Sequence, residues 1–279
     1  MTNSQTREAG PDAVLPANRE RKIVRYGTIS VEVILNGSGG PPVVLIPSWG
    51  RDSEELATLA ELVAQCGFRV MRPVPRGAGE SDGPVEGVSM HDLARDVAAV
   101  IEWAGGTPAI VAGHAFGSYV ARAVSAQRPD LVCGLVLLAA GARGPAPPHL
   151  VEAVLKSGDL SLSEAERLEH LSLVFFAPGH DARIWLGGWN PTVGVASASA
   201  FRTPPSEYWE AGTAPVLDLI AMQDPLRPSA SYDDIRSDLG HERVEVALVP
   251  NASHAVVMEQ TERVAAEIVR FARNVTRMP

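Results

Sequence analysis

Three positions have the residue types and the chain order that general-base chemistry needs. Gly113-His114-Ala115-Phe116-Gly117 follows an apolar run and precedes a helical one, and its small residues suit a sharp strand-to-helix turn. Asp224 follows a later apolar run, and His254 follows the last one. An aspartate that hydrogen-bonds a histidine orients the ring and leaves its other nitrogen free to take a proton. An Asp224–His254 pair of this kind would support acid–base chemistry.

Alternating β-rich and amphipathic runs must position these residues. Such alternation is typical of a mostly parallel sheet that is flanked by helices. The predicted strands are 21–35 (an antiparallel pair at an edge), 43–46, 68–71, 107–112, 132–140, 215–221 and 243–249. Asp52 and Glu55 have the spacing of a capping box, and Ser89 is the expected cap of the next helix.

The alternation stops between residues 143 and 213, where helix-like stretches occur without a buried strand. We therefore expect one core, residues 21–142 and 214–279, with 143–213 as a helical cap and 1–20 as a loose tail. Aromatic residues are concentrated in the expected cap, either to line a pocket or to pack the cap onto the core. The candidate pocket residues are Ser48, His114, Trp185 and Trp189.

Composition excludes several classes of partner. The 33 acidic and 24 basic residues give a net charge of −9, which disfavours binding to nucleic acid. No apolar run has the roughly 18 residues that span a bilayer, so we expect a cytoplasmic protein with no membrane partner. The two cysteines are far apart, and the sequence contains no metal or phosphate-binding motif, so no metal or cofactor is implied. Nothing in the sequence indicates the oligomeric state.

The chain resembles the α/β-hydrolase fold superfamily over residues 20–275. The resemblance rests on the turn at 113–117, on Pro47-Ser48-Trp49-Gly50, on Arg76-Gly77-Ala78-Gly79-Glu80-Ser81-Asp82, and on the order of Asp224 and His254. It implies an α/β-hydrolase fold with an inserted helical cap and a small-molecule substrate. It also implies that Asp224 and His254 are catalytic and that the backbone N–H groups of Trp49 and Phe116 form an oxyanion hole.

The departure from that family is Ala115, at the position where its members have serine, cysteine or aspartate. A methyl group cannot attack a substrate, so the covalent mechanism cannot operate. The alanine is either native to a branch of the family or an engineered replacement; the flanking residues 116–122 resemble members with a natural alanine. The remaining groups could support water attack on a small ester, lactone or other carbonyl compound, or proton abstraction, or elimination. The alternative is a catalytically silent protein that binds an apolar ligand under its cap.

Plainer interpretations of the same residues remain open. His254 could simply bond a backbone carbonyl group, and Asp-Pro pairs such as Asp224-Pro225 also begin turns for local reasons. His114 is interpreted first as a packing residue beside the turn, and Ser48 as a weak candidate for a replacement nucleophile. Ser81-Asp82 is predicted to be a structural turn, and Asp52 and Glu55 are assigned to helix capping.

Overall fold

Eight strands form one sheet in the computed structural model, which describes residues 19–277. They are β1 (Arg19–Tyr26), β2 (Ile29–Asn36), β3 (Pro42–Ile46), β4 (Arg69–Pro73), β5 (Ala109–His114), β6 (Val132–Leu138), β7 (Val216–Ala221) and β8 (Val244–Val249). Their spatial order is β1-β2-β4-β3-β5-β6-β7-β8. β2 runs antiparallel to both of its neighbours, and all the other pairs are parallel. The predicted fold class is confirmed.

Helices cover both faces of this sheet. They are α1 (Ala57–Gln65), α2 (Met90–Trp103), α3 (Phe116–Gln127), α4 (Pro148–Ser157), α5 (Glu164–Val174), α6 (Pro191–Ala200), α7 (Asp234–Leu239), α8 (Val256–Glu259) and α9 (Thr261–Thr276). The apolar sides of α2 and α3 belong to the core cluster on one face, and those of α1 and α9 to the cluster on the other. Because α2 and α9 each carry one apolar stripe, packing against the sheet removes that stripe from water.

The central strands are apolar along their whole length because both of their faces are covered. Every residue of β3, β5 and β7 is buried, whereas β8 at the sheet edge is buried only at its two ends and is exposed or half-buried between them. This difference is what a parallel sheet between two helix layers requires. The carboxyl ends of the parallel strands consequently meet at one edge, where the chain segments that follow them lie close together.

One predicted helix cap is confirmed and another is wrong. Ser89 accepts from the backbone N–H of Asp92, so it caps α2 as predicted, and the Ser89 N–H donates to the Asp92 carboxylate in return. Asp52 also caps the turn that follows it. Glu55, however, closes no capping box. Its carboxylate turns inward, because a buried arginine and a backbone N–H group next to the sheet bind it there.

The segment between β6 and β7, residues 139–215, contributes helices α4 to α6 and no strand; we call it the inserted segment. Phe175, Phe176 and Trp185 form an apolar cluster within it, which packs against Ala255 of the core.

The expected tail comprises residues 1–20, of which residues 1–18 lie outside the described residues. Arg19 and Glu20 are paired with Asn36 and Leu35 in β1, so the tail prediction is wrong for these two residues.

The run 76–82 forms a turn, and its Ser81-Asp82 end has a structural role, as predicted. Its Ser81 hydroxyl donates to the Val74 carbonyl oxygen and accepts from the Glu32 N–H. Arg76 anchors the start of the turn through two hydrogen bonds to the buried carboxylate of Asp96 on α2, at 2.7 and 2.9 Å. A bidentate pair of this kind fixes geometry as well as charge.

Among residues 19–277, no helix has the length and apolar character required to cross a bilayer.

Candidate active site

Ala115 occupies a strained turn between β5 and α3. Its φ of 50° and ψ of −110° lie in a region that L-residues rarely adopt, at a cost of about 1–3 kcal/mol. Its N–H donates to the Leu138 carbonyl oxygen at 2.8 Å, and its carbonyl oxygen accepts from Ser118 N–H at 3.0 Å. The surrounding structure therefore imposes the conformation, although the side chain at its centre is only a methyl group.

The two glycines of this turn are required by close backbone contacts. A Cβ on Gly113 would lie 2.0 Å from the Gly117 carbonyl oxygen, and a Cβ on Gly117 would lie 2.5 Å from that of Ile46. Both distances are far below van der Waals contact. The turn is consequently pressed against the end of β3, and the residue after it begins a helix whose first N–H groups have no helical acceptor.

Asp224 and His254 form a hydrogen-bonded pair. Asp224 follows β7 and His254 follows β8, so both lie at the carboxyl edge of the sheet, as Ala115 does after β5. The Asp224 Oδ2 to His254 Nδ1 distance is 2.7 Å, and Leu226 N–H donates to Oδ1 of the same carboxylate. Because Nδ1 bonds the carboxylate, the proton-accepting atom of the ring is Nε2. No hydrogen-bond partner of Nε2 lies in the described part of the chain.

A second acid–histidine contact lies behind the turn, and the sequence interpretation missed it. The His114 Nε2 to His254 backbone oxygen distance is 2.8 Å, and the His114 Nδ1 to Glu55 Oε1 distance is 3.3 Å. Glu55 also accepts from Ser48 N–H at 2.8 Å and from Nε of Arg51 at 3.1 Å. This buried carboxylate thus connects the loop after β3 with the residue that precedes Ala115.

Glu55 remains ionised despite its burial. Burial alone raises the pKa of this carboxyl group, but His114, Arg51 and the Ser48 N–H together outweigh that effect and lower it. Burial lowers the pKa of Arg51 against the opposing pull of Glu55. A buried charge pair is stable only where further hydrogen bonds complete it. Here the Gly187 carbonyl oxygen, 2.6 Å from an Arg51 amino group, supplies one of them.

Aromatic rings of the inserted segment enclose this network. The Arg51 guanidinium lies 4.6 Å from the ring centroid of Trp185 and 4.9 Å from that of Trp189, within cation–π range. The Phe175 ring lies 5.5 Å from the His254 ring and 5.0 Å from Trp185. The inserted segment therefore contacts both the loop after β3 and the histidine of the Asp224 pair.

The loop after β3 places two further predicted residues beside the turn. The Trp49 and Phe116 rings meet edge to face at 5.5 Å. Within residues 19–277, no oxygen accepts from the backbone N–H of either residue. The neighbouring Ser48 N–H, by contrast, is bonded to Glu55. The backbone N–H groups of Trp49 and Phe116 thus have no acceptor within the described residues.

The predicted pocket residues have different surroundings. Ser48 and Phe116 line a cavity of about 50 Å³, and Trp189 lines another of about 60 Å³ with Trp49. His114 and Trp185 are completely buried, His114 behind the turn and Trp185 in the aromatic cluster. They support the site from behind. The structure thus brings Ala115, His114 and His254 together.

Solvent has little access to Ala115 and His254. Ala115 is 4% exposed and His254 is 7% exposed. No group of three or more histidine, cysteine, aspartate or glutamate side chains in residues 19–277 is arranged to hold a metal ion. The described side chains at the turn include the buried acid–histidine pair of Asp224 and His254.

Residues 41–261 match a family model described as the alpha/beta hydrolase fold. Among curated proteins, the chain is 27% identical over 125 residues to a soluble epoxide hydrolase of Corynebacterium sp. (strain C12). This match covers 45% of the present chain and 40% of the epoxide hydrolase. It is 33% identical over 115 residues to a non-heme chloroperoxidase of Streptomyces lividans. This match covers 41% of the present chain and 40% of the chloroperoxidase. The matched segment thus spans well under half of either curated relative.

Solved structures give a likeness over nearly the whole chain. A thermophilic esterase from Thermogutta terrifontis superposes with a TM-score of 0.74 at 23% identity, which covers 93% of this chain and 99% of that one. An E-2-(acetamidomethylene)succinate hydrolase superposes with a TM-score of 0.71 at 20% identity, which covers 91% and 99% of the two chains. At these identities the likeness concerns the fold.

Proposed function

The chain belongs to the α/β-hydrolase fold family, and we propose that it is an enzyme that acts on a small ester, lactone or other carbonyl compound without a nucleophilic side chain. The observation that carries this proposal is the 2.7 Å hydrogen bond between Asp224 and His254, next to a turn that keeps its strained conformation around Ala115. A protein that had lost all chemistry would have no need of an oriented acid–histidine pair.

His254 is the proposed general base. With Nδ1 bonded to Asp224, Nε2 takes a proton from a water molecule that occupies the space beside the Ala115 methyl group, where a family nucleophile would stand. The water oxygen attacks the carbonyl carbon, and the C=O bond becomes a C–O⁻ single bond. Collapse of this intermediate expels the alkoxide, which takes the proton back from the His254 imidazolium. A general base of this kind contributes about 10² to 10⁴ in rate.

The backbone N–H groups of Trp49 and Phe116 are the proposed oxyanion hole. No described residue accepts from these two N–H groups, whereas the neighbouring Ser48 N–H donates to Glu55. Such donors are fixed before the reaction begins, so they stabilise the developing charge without reorganising. Each is typically worth about 10² to 10³ in rate, and neither depends on the side chain at residue 115.

The inserted segment, expected as a cap over residues 143–213, supplies the cover of the proposed site. Its Phe175 packs on His254, and its tryptophans pack on Arg51, so substrate would react in a largely dry environment. Exclusion of water strengthens the electrostatic contacts that the base and the N–H donors make. A small-molecule substrate fits this arrangement because little space is open at the turn.

A second candidate is a silent or lyase-type family member that binds a small apolar ligand under the inserted segment. The observation that favours it is the near-complete burial of Ala115 and His254. The silent form makes no use of the His254 base, whereas proton abstraction still requires it. Product analysis distinguishes the proposed hydrolysis from a lyase reaction, because hydrolysis adds the elements of water to the substrate and a lyase does not.

Assays of the protein beside His254→Ala and Asp224→Asn, on a panel of small aryl esters and lactones, test the proposed hydrolysis. We expect His254→Ala to lose about 10² or more in kcat and Asp224→Asn to lose a similar amount. His241→Ala, which changes an exposed histidine, is the matched control and should keep full activity. Turnover at the full rate in His254→Ala would refute the proposal.

A further inference from the structure

We propose that a cleft between the inserted segment and the core binds an aromatic ring that carries an oxygen acceptor, and that aryl-substituted carbonyl compounds are therefore the substrate class. The cleft has a volume of about 710 Å³. The lining residues that matter here are Tyr119, Phe201, Tyr208 and Trp209, and we call it the aromatic cleft. Its assignment as a substrate site rests on the proposed function, whereas its affinity for aromatic rings does not.

The rings of the aromatic cleft are arranged to receive another ring. Tyr119 meets Phe201 edge to face at 5.5 Å and Tyr208 at 6.2 Å. Phe201 is nonetheless 51% exposed, so much of a large apolar side chain faces solvent at the mouth of the cleft. Offset and edge-to-face contacts with an added aromatic ring contribute about 0.5–1.5 kcal/mol each beyond the area that is buried.

Two phenol groups give the cleft its polar preference. In the described part of the chain, the Tyr119 and Tyr208 hydroxyls have no hydrogen-bond partner, and Tyr208 is only 2% exposed. Burial raises the pKa of Tyr119, and raises that of Tyr208 to about 12, so both remain protonated donors at neutral pH. Neither hydroxyl oxygen is among the fully buried atoms, so each can donate to a ligand oxygen that enters the cleft in place of water.

The Tyr119 hydroxyl lies close to the backbone at Gly141. A Cβ on Gly141 would lie 2.6 Å from the Tyr119 hydroxyl, so a larger residue at 141 would displace that group.

Trp209 is held rigidly before any ligand arrives. The Arg122 guanidinium lies 4.1 Å from the Trp209 ring centroid, and its Nη1 donates to the Trp209 carbonyl oxygen at 2.8 Å. On the other side, the indole N–H of Trp209 donates to Asp238 at 2.9 Å. Asp238 also binds Arg143, so its charge is compensated at the rim. A ring fixed in this way loses little entropy on binding.

Arg122 adds a positive charge behind the cleft. It is fully buried, and its Nε and Nη2 atoms have no partner among residues 19–277. Burial lowers the pKa of Arg122 to about 10, which still leaves the group cationic at neutral pH. In a region of low dielectric constant this charge attracts the electron-rich oxygen of a ligand and repels cationic ligands.

The aromatic cleft lies within reach of the turn at Ala115. Tyr119 lies in the first turn of α3, the helix that begins directly after Ala115. Phe201 lies 6.4 Å from the Phe116 ring and 6.1 Å from the Trp49 ring. A ring bound in the cleft would therefore leave a carbonyl group attached to it near the Trp49 and Phe116 N–H groups.

Titration of the ¹⁵N-labelled protein with 1-naphthol, with decahydro-1-naphthol as the saturated control, tests this inference. We expect the Trp209 indole signal to shift with naphthol and to respond far less to the saturated alcohol, while Trp103, which is exposed on α2, stays unchanged. Tyr208→Phe keeps the ring and removes the hydroxyl, and should weaken naphthol binding about five- to tenfold. Trp103→Phe is the matched control and should bind as the unaltered protein does.

Several outcomes would overturn the inference. These are no shift of Trp209 up to the solubility limit of naphthol, an equal response to the saturated alcohol, or shifts confined to Trp185 and Trp189. The titration involves no turnover, so its result is independent of whether His254 catalyses hydrolysis. If naphthol binds but aryl esters are not hydrolysed, the proposed function fails and the cleft remains an aromatic site.

Discussion

The backbone oxygen of His254 lies 2.8 Å from Nε2 of His114, the residue that directly precedes Ala115. Through this contact, the turn after β5 holds the loop that carries the histidine of the Asp224 pair. His114 in turn contacts Glu55, which binds the loop after β3. One buried chain of polar groups thus connects the three segments of the proposed active site.

Glu55→Gln should destabilise the protein by about 3 kcal/mol at neutral pH, because removing one charge of a buried pair leaves Arg51 uncompensated. Glu169→Gln, at an exposed position on α5, is the matched control and should change the free energy of unfolding by less than about 0.5 kcal/mol. Urea denaturation measures both values. Equal stability of the two variants would show that the Glu55 charge is dispensable.

The difference in unfolding free energy between the protein and Glu55→Gln should depend on pH, and the lowered pKa of Glu55 sets its direction. The pKa of Glu55 is lowered in the folded protein from its ordinary value of 4.5, so its ionised form stabilises the fold above about pH 4.5. That contribution is lost as the pH falls through the lowered folded value. The stability difference between the protein and Glu55→Gln should therefore shrink when the pH is reduced from about 6 to below 4. A difference that stays constant over this range would contradict the assignment.

Gly117→Ala should be strongly destabilising, by about 3 kcal/mol or more, since the added methyl group would lie 2.5 Å from the Ile46 carbonyl oxygen and 2.6 Å from that of Pro47. Gly39→Ala is the control, because no atom lies within 4 Å of the added group. Thermal unfolding followed by circular dichroism compares the two. A wild-type melting temperature for Gly117→Ala would mean that the turn is not packed against β3 as described.

Trp185→Ala should cost about 3–5 kcal/mol, because this ring is completely buried and contacts both Arg51 and Phe175. Trp103→Ala changes a ring that is 45% exposed and should cost much less. If the proposed cover depends on Trp185, limited proteolysis should also cleave the inserted segment faster in Trp185→Ala. Unchanged cleavage together with unchanged stability would show that the Trp185 ring does not stabilise the inserted segment.

The sequence predicted the fold and the central turn because each rests on local signals. Gly113 and Gly117 bracket a conformation that only small residues permit, and the continuous apolar runs of β3 and β5 indicate strands buried on both faces. The Asp224 and His254 pair followed from residue order within a resembling family, and the structure places the two side chains in contact.

Glu55 escaped prediction because its spacing from Asp52 imitates a capping box. Its true partners, Ser48 and His114, come from other elements, and only the tertiary fold brings them together. One local signal was present, since Arg51 and Glu55 have the four-residue spacing of an ion pair, next to an otherwise apolar helix. The aromatic cleft likewise combines α3 with a distant part of the inserted segment, which no local pattern reveals.

Pre-steady-state hydrolysis of 4-nitrophenyl acetate by the protein and by Ala115→Ser tests the central claim most directly. The account predicts steady release without a burst from the protein, and a burst of about one equivalent from Ala115→Ser, because only the serine form can build an acyl intermediate. It also predicts that His254→Ala lowers both activities by about 10² or more. Hydrolysis by the protein no faster than by its His254→Ala variant would contradict catalysis by a water-activating His254.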